Sequence, residues 1–129
     1  MKKITILTMV FLLLAGLAYA KDYEVTKKVG EYDVEVKIDK NPPIVGDNTI
    51  TIEIRDGAGK YVSDAKVRVD YSMPAMPGMP AMNYKEDAVL SGNTYRAVMN
   101  LSMAGPWNIA VKIKKDGKTK TVKFNIDAH

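Results

Sequence analysis

The chain has 129 residues, 47% hydrophobic and 26% charged, with no cysteine, one histidine and a formal charge of +4. Without cysteine the fold is stabilised by packing rather than by disulfides, and no lipidated N-terminal cysteine is available. No basic stripe or tail appears, which argues against nucleic acid as a partner.

The first twenty residues read as a secretory leader. Lys2 and Lys3 form a basic start, Ile4 to Leu17 an apolar run, and Ala18-Tyr19-Ala20 a small-x-small cleavage signature. The apolar run is shorter than the ~20 residues a spanning helix needs. The expected organisation is a cleaved signal peptide over 1–20 and a single domain over 21–129, periplasmic or secreted and with no membrane span after processing. Loss of Lys2 and Lys3 takes the 19 basic residues to 17, against 15 acidic. That near-balance selects no class of partner.

From Lys21 onward the pattern alternates with a period of two. Lys21 to Gly30 is either a first edge strand or a loose arm. Tyr32, Val34, Val36 and Ile38 alternate with polar residues, Asn41-Pro42-Pro43 ends that strand, and Ile44-Val45-Gly46-Asp47 turns into a second with Ile50, Ile52 and Ile54 inward. After the Asp56-Gly57-Ala58-Gly59 loop, Ala65, Val67, Val69 and Tyr71 form a third strand, and Tyr84 to Leu90 a weaker fourth. Ser91-Gly92-Asn93 reverses the chain into Tyr95 to Met103. Gly105-Pro106 breaks it, Trp107 to Ile113 follows, and Asp116-Gly117 makes a favoured hairpin turn into Val122 to Ile126. Seven short strands without a helix predict an all-β fold, an immunoglobulin-like antiparallel β-sandwich.

The strongest functional signal lies between the third and fourth strands, at 73–82: Met73-Pro74-Ala75-Met76-Pro77-Gly78-Met79-Pro80-Ala81-Met82. A residue before proline is pushed out of the helical region, so Met73, Met76 and Met79 do not form a helix face. In a polyproline II run the four side chains line one edge, roughly 9 Å apart. They converge only if the run bends, and Gly78 is the residue best able to bend it. Thioether sulfur is a soft, uncharged ligand that favours Cu(I), with Ag(I) as a mimic. It also forms no disulfide in an oxidising compartment. Two other readings stand beside it: a docking surface for a partner, since methionine suits adaptable interfaces, or simply a loop packed over one end of the core.

The Met-Pro-Ala-Met-Pro-Gly-Met run at 73–79, the Gly92-Asn93-Thr94-Tyr95 hairpin entry, and Leu101-Ser102-Met103-Ala104-Gly105-Pro106-Trp107 together resemble the YtkA-like domain. That family is related to FixH proteins of respiratory-oxidase assembly and to segments attached to copper efflux adaptors. The resemblance spans roughly Tyr32 to Ile126. It implies an immunoglobulin-like sandwich of the bacterial envelope linked to copper handling. Carried over, the candidate metal ligands are Met73, Met76, Met79 and Met82, with Met103 as an addition. An efflux adaptor or oxidase-assembly factor is the kind of envelope acceptor implied.

Other residues have plainer readings. Met99 alternates with core positions, Trp107 is a core tryptophan before it is a cap over a cation, and His129 is a solvated end before it is a ligand. The lysines at 112, 114, 115, 118, 120 and 123 make a solvated strand face that guards against edge pairing. With no cysteine, no internal histidine, no nucleophile motif and no phosphate loop, no general base is poised near neutrality, and the chain is not expected to be an enzyme. The expected function is a periplasmic carrier, buffer or donor of Cu(I), with a metal-free interaction module docking through the Met-Pro loop as the alternative.

Overall fold

A computed structural model describes residues 23–129; the expected leader lies outside the described residues. Nine strands follow in order: β1 (Tyr23–Val29), β2 (Tyr32–Ile38), β3 (Gly46–Arg55), β4 (Lys66–Met73), β5 (Met82–Asp87), β6 (Val89–Ser91), β7 (Thr94–Leu101), β8 (Gly105–Lys115) and β9 (Lys118–Ala128). They build two antiparallel sheets, β1-β2-β3-β7-β6 and β5-β4-β8-β9, packed as a sandwich. Among the described residues no helix is long and apolar enough to cross a membrane.

Two differences from the expected seven strands follow from local chemistry. The segment before Gly30 is a true edge strand, paired along its length with β2 from Tyr23↔Ile38 to Val29↔Tyr32. The weak fourth strand is two strands in different sheets: β5 pairs with β4, β6 pairs with β7, and the chain crosses between them at Ala88. The Ala88 N–H, free of both ladders there, donates to the Val67 carbonyl at 2.9 Å.

Alternation is otherwise kept strictly, with β2, β4 and β7 burying every second residue. β-branched and aromatic side chains suit this pleated, half-buried surface. Val34, Val36 and Ile52 of one sheet, with Val69, Trp107 and Val111 of the other, are among its fully buried members. Trp107 and Met99 are core residues, as their alternation implied. The β8–β9 turn closes on Asp116 and Gly117, both at positive φ, as a type I′ hairpin requires.

Two polar devices fix opposite ends of the sandwich. At one end the Tyr95 hydroxyl donates to the Val62 carbonyl at 2.8 Å and accepts from the Ala65 N–H at 3.1 Å, holding the β3–β4 connection. Burial makes the Tyr95 hydroxyl harder to ionise. At the other end Asn48, fully buried, accepts from the Ile44 N–H and donates to the carbonyls of Ile44 and Gly46. It shapes the connection into β3, which therefore begins at Gly46, earlier than the turn residues suggested.

Candidate metal site: the methionine end

The Met-Pro run is a hairpin, not an extended polyproline edge. The register of β4 with β5 runs from Arg68↔Asp87 to Met73↔Met82 and resumes, in the same register, at Met76↔Met79. Between these pairs Pro74 and Pro80 have no N–H to contribute to a ladder, so regular pairing lapses. At the tip the Met79 N–H donates to the Met76 carbonyl at 2.8 Å, and the Met76 N–H returns a bond to the Met79 carbonyl at 3.0 Å. Pro77 and Gly78, with Gly78 at φ 81°, occupy the two central positions of a type II turn. Gly78 is thus the bend the sequence suggested, made tighter by Pro77.

This geometry separates the methionines. Along each arm, spacing by three in a structure of period two puts Met73 and Met76, and likewise Met79 and Met82, on opposite faces, while Met76 and Met79, paired across the turn, share one. Met73 is the last residue of β4, buried at 1% exposure, which corrects the expectation that the four side chains line one edge. Its methyl group lies 3.3 Å from where a Cβ on Gly105 would stand, so glycine there admits it. Met76, at 36% exposure, is open to solvent at the tip, and Met79 opposite it is half-buried.

Met82 and Met103 are half-buried and pack against the core. The sulfur of Met82 accepts from two hydroxyls, Tyr84 and Ser102, each at 3.7 Å. Ser102 belongs to the β7–β8 connection, so that connection and the hairpin lie side by side. Met103, one residue on, is held by its backbone: the indole N–H of Trp107 donates to its carbonyl at 3.0 Å. The Met-Ala-Gly-x-Trp stretch therefore has a physical reading, in which Gly105 makes room for Met73 and Trp107 ties down Met103. Beneath lie three aromatics. Tyr71 and Tyr84 stack at 5.3 Å between centroids, and Trp107 stands 6.1 Å from each.

The end gathers further residues. Gly46 pairs with Leu101 and Gly105 with Ala128, placing the 43–45 loop and the C-terminal residue here too. His129 is held by its backbone, donating to the Pro43 carbonyl at 3.0 Å and accepting from the Val45 N–H at 3.1 Å. Ile44 and Val45 are exposed. Among the described residues no three His, Cys, Asp or Glu side chains converge to hold a metal.

Ser102 and Tyr84 went unnoticed in the sequence. Ser102 sits inside the motif that suggested Met103. Tyr84 sits two residues past Met82 on the same strand face, a signal that period-two counting carries.

Comparison with known proteins agrees with this architecture. The family model described as YtkA-like matches residues 22–112. Among solved structures, the soluble domain of PmoD from Methylocystis sp. ATCC 49242 is similar with a TM-score of 0.53 at 12% identity, covering 81% of this chain and 96% of that one. At that identity the likeness is one of fold. No curated protein matches the sequence.

Proposed function

The chain belongs to the YtkA-like family, and from that premise and its methionine end we propose a non-enzymatic periplasmic protein that holds Cu(I), or Ag(I), for carriage or hand-over. The observation that carries the reading is the hairpin tip, where Met76 and Met79 stand directly opposite each other across a proline-glycine turn. Thioether sulfur binds soft monovalent copper without first losing a proton. Met76 and Met79 are the primary pair. Met82, on the other face at the hairpin's base, and Met103 in the adjoining connection are a second, half-buried group of thioethers, and Met73 braces the hairpin from the core. An exposed tip permits release by exchanging one sulfur at a time with an acceptor such as an efflux adaptor or oxidase-assembly factor.

The test is an anaerobic Cu(I) titration against a colorimetric chelator. A Met76→Ile, Met79→Ile double variant is expected to bind at least about tenfold more weakly, roughly the loss of one good interaction. Binding as tight as wild type removes the site. A metal-free docking loop is a second reading, favoured by Ile44 at 37% and Val45 at 43% exposure on the same end. Under it, copper binding is absent, and partner capture tolerates Met76→Leu but not Met76→Asp.

A further inference from the structure

The outward face of the β5-β4-β8-β9 sheet carries cations in cross-strand register. Lys66 stands directly opposite Lys114, and in the next row but one Arg68 stands opposite Lys112. Like charges directly opposed on a sheet are destabilising, so two successive rows of them are a cost that packing does not explain. One row is partly relieved: Asp70 takes a forked pair of bonds from Arg68 at 2.8 and 3.1 Å and a contact from Lys112 at 3.1 Å. The other row is not, since Lys66 and Lys114 have no ion-pair partner among the described residues. These four cations, with Asp87 and Thr119, line an open hollow of about 330 Å³.

The outward face of the other sheet is different. There Lys37 is matched by Glu35 at 3.4 Å and Glu24 at 3.9 Å, and Arg55 by Glu53 at 2.7 Å. Its acids without an ion pair among the described residues, Asp33 on β2 and Asp47 on β3, stand near opposite ends of the sheet and so do not match the clustered cations of the hollow. The exposed large apolar residues, Ile44, Val45, Tyr61, Met76, Tyr84, Val89, Leu90 and Val98, all lie outside the hollow, which leaves it no apolar group to insert into a bilayer.

We propose that the hollow around Lys66, Arg68, Lys112 and Lys114 docks an acidic segment of a partner protein. Its carboxylates pair with Lys66 and Lys114 and relieve the repulsion between them. The hollow lies toward the end of the sheet opposite the methionine hairpin, since β4 runs from Lys66 at one end to Met73 at the other. Docking therefore leaves the hairpin tip uncovered. The inference stands whether or not the tip binds metal.

The test uses poly-L-glutamate as the acidic probe, at low ionic strength, followed by backbone amide shifts. Expected are shifts concentrated at the β4–β8 rows, about tenfold weaker binding by Lys114→Glu, and less than about twofold change in Lys60→Glu, which alters net charge equally on an exposed loop. Lys114→Glu also supplies Lys66 with a partner, so its Tm is expected to rise by about 2 °C or more as binding falls. Equal weakening by the two variants, or shifts centred elsewhere, overturns the proposal. So does binding to phosphatidylglycerol vesicles as tight as to poly-L-glutamate and equally lost in Lys114→Glu, which assigns the face to lipid. Self-association abolished by Lys114→Glu assigns it to a second copy and overturns it as well.

Discussion

Met73 and Met76 lie three residues apart on one arm of a hairpin and do opposite work. Met73 fills the core beside Gly105, so Met73→Ala is expected to lower unfolding stability by about 2–5 kcal/mol in a urea titration. Met76→Ala, at the open tip, should change it by no more than about 0.5 kcal/mol while weakening Cu(I) binding. A result in which both variants lose stability alike would contradict the division between brace and ligand. Gly78→Ala is expected to cost about 1–2 kcal/mol, because φ 81° is a left-handed conformation that a Cβ disfavours. The prolines in the sequence exclude a helix, and Gly78 marks the bend. What they do not reveal is whether the bent run pairs with itself. That pairing converts a spacing of three into alternating faces and buries Met73, and it depends on β5, whose polar composition gives little notice that it will be a strand.

At the level of elements, the least legible stretch was Met82 to Ser91. β5 has five exposed residues of six, and β6 exposes Val89 and Leu90, so neither offers the buried-exposed alternation by which strands are recognised. Position in the sandwich, not propensity, sets them: each is an edge, and the switch at Ala88 lets one chain segment border both sheets. β4 and β8 were plain in the sequence, yet their cross-strand charges depend on register, which alternation alone leaves open.

That register gives a pH prediction. Burial by itself would raise the Asp70 carboxyl, but the bonds from Arg68 and Lys112 outweigh it and hold the group below its ordinary value. A depressed carboxylate adds stability above the unfolded value near pH 4, and the gain is lost as pH falls through the folded value. The stability advantage of wild type over Asp70→Asn is therefore expected to be full at pH 7 and to shrink steadily below about pH 4, read as urea midpoints. A constant advantage down to about pH 2 would show that the ion pairs do not set it.

Over the whole molecule, the period of two was enough to identify a sandwich, and the methionine clustering singled out the end for which metal binding is proposed. Strand order was not readable, because nothing in the alternation says which sheet a strand joins. It is strand order that brings Ser102 to the base of the hairpin and His129 to the same end of the sandwich. The arrangement makes a global prediction about copper. If thioethers alone hold the ion, Cu(I) affinity should vary by less than about threefold between pH 8 and 5.5, measured by chelator competition. A fall of tenfold or more over that range would show that a proton-bearing ligand takes part.

The shared register of the hairpin's tip and base also limits how such an arm can be lengthened or shortened. Adding two residues to each arm keeps every side chain on its present side and only carries the tip further from the sandwich. Adding one to each would turn Met76 and Met79 over toward the interior side. Variation in reach is therefore cheap in steps of two and disruptive in steps of one, which gives a lineage or an engineer a ratchet for tuning how far the sulfurs extend without disturbing the scaffold beneath.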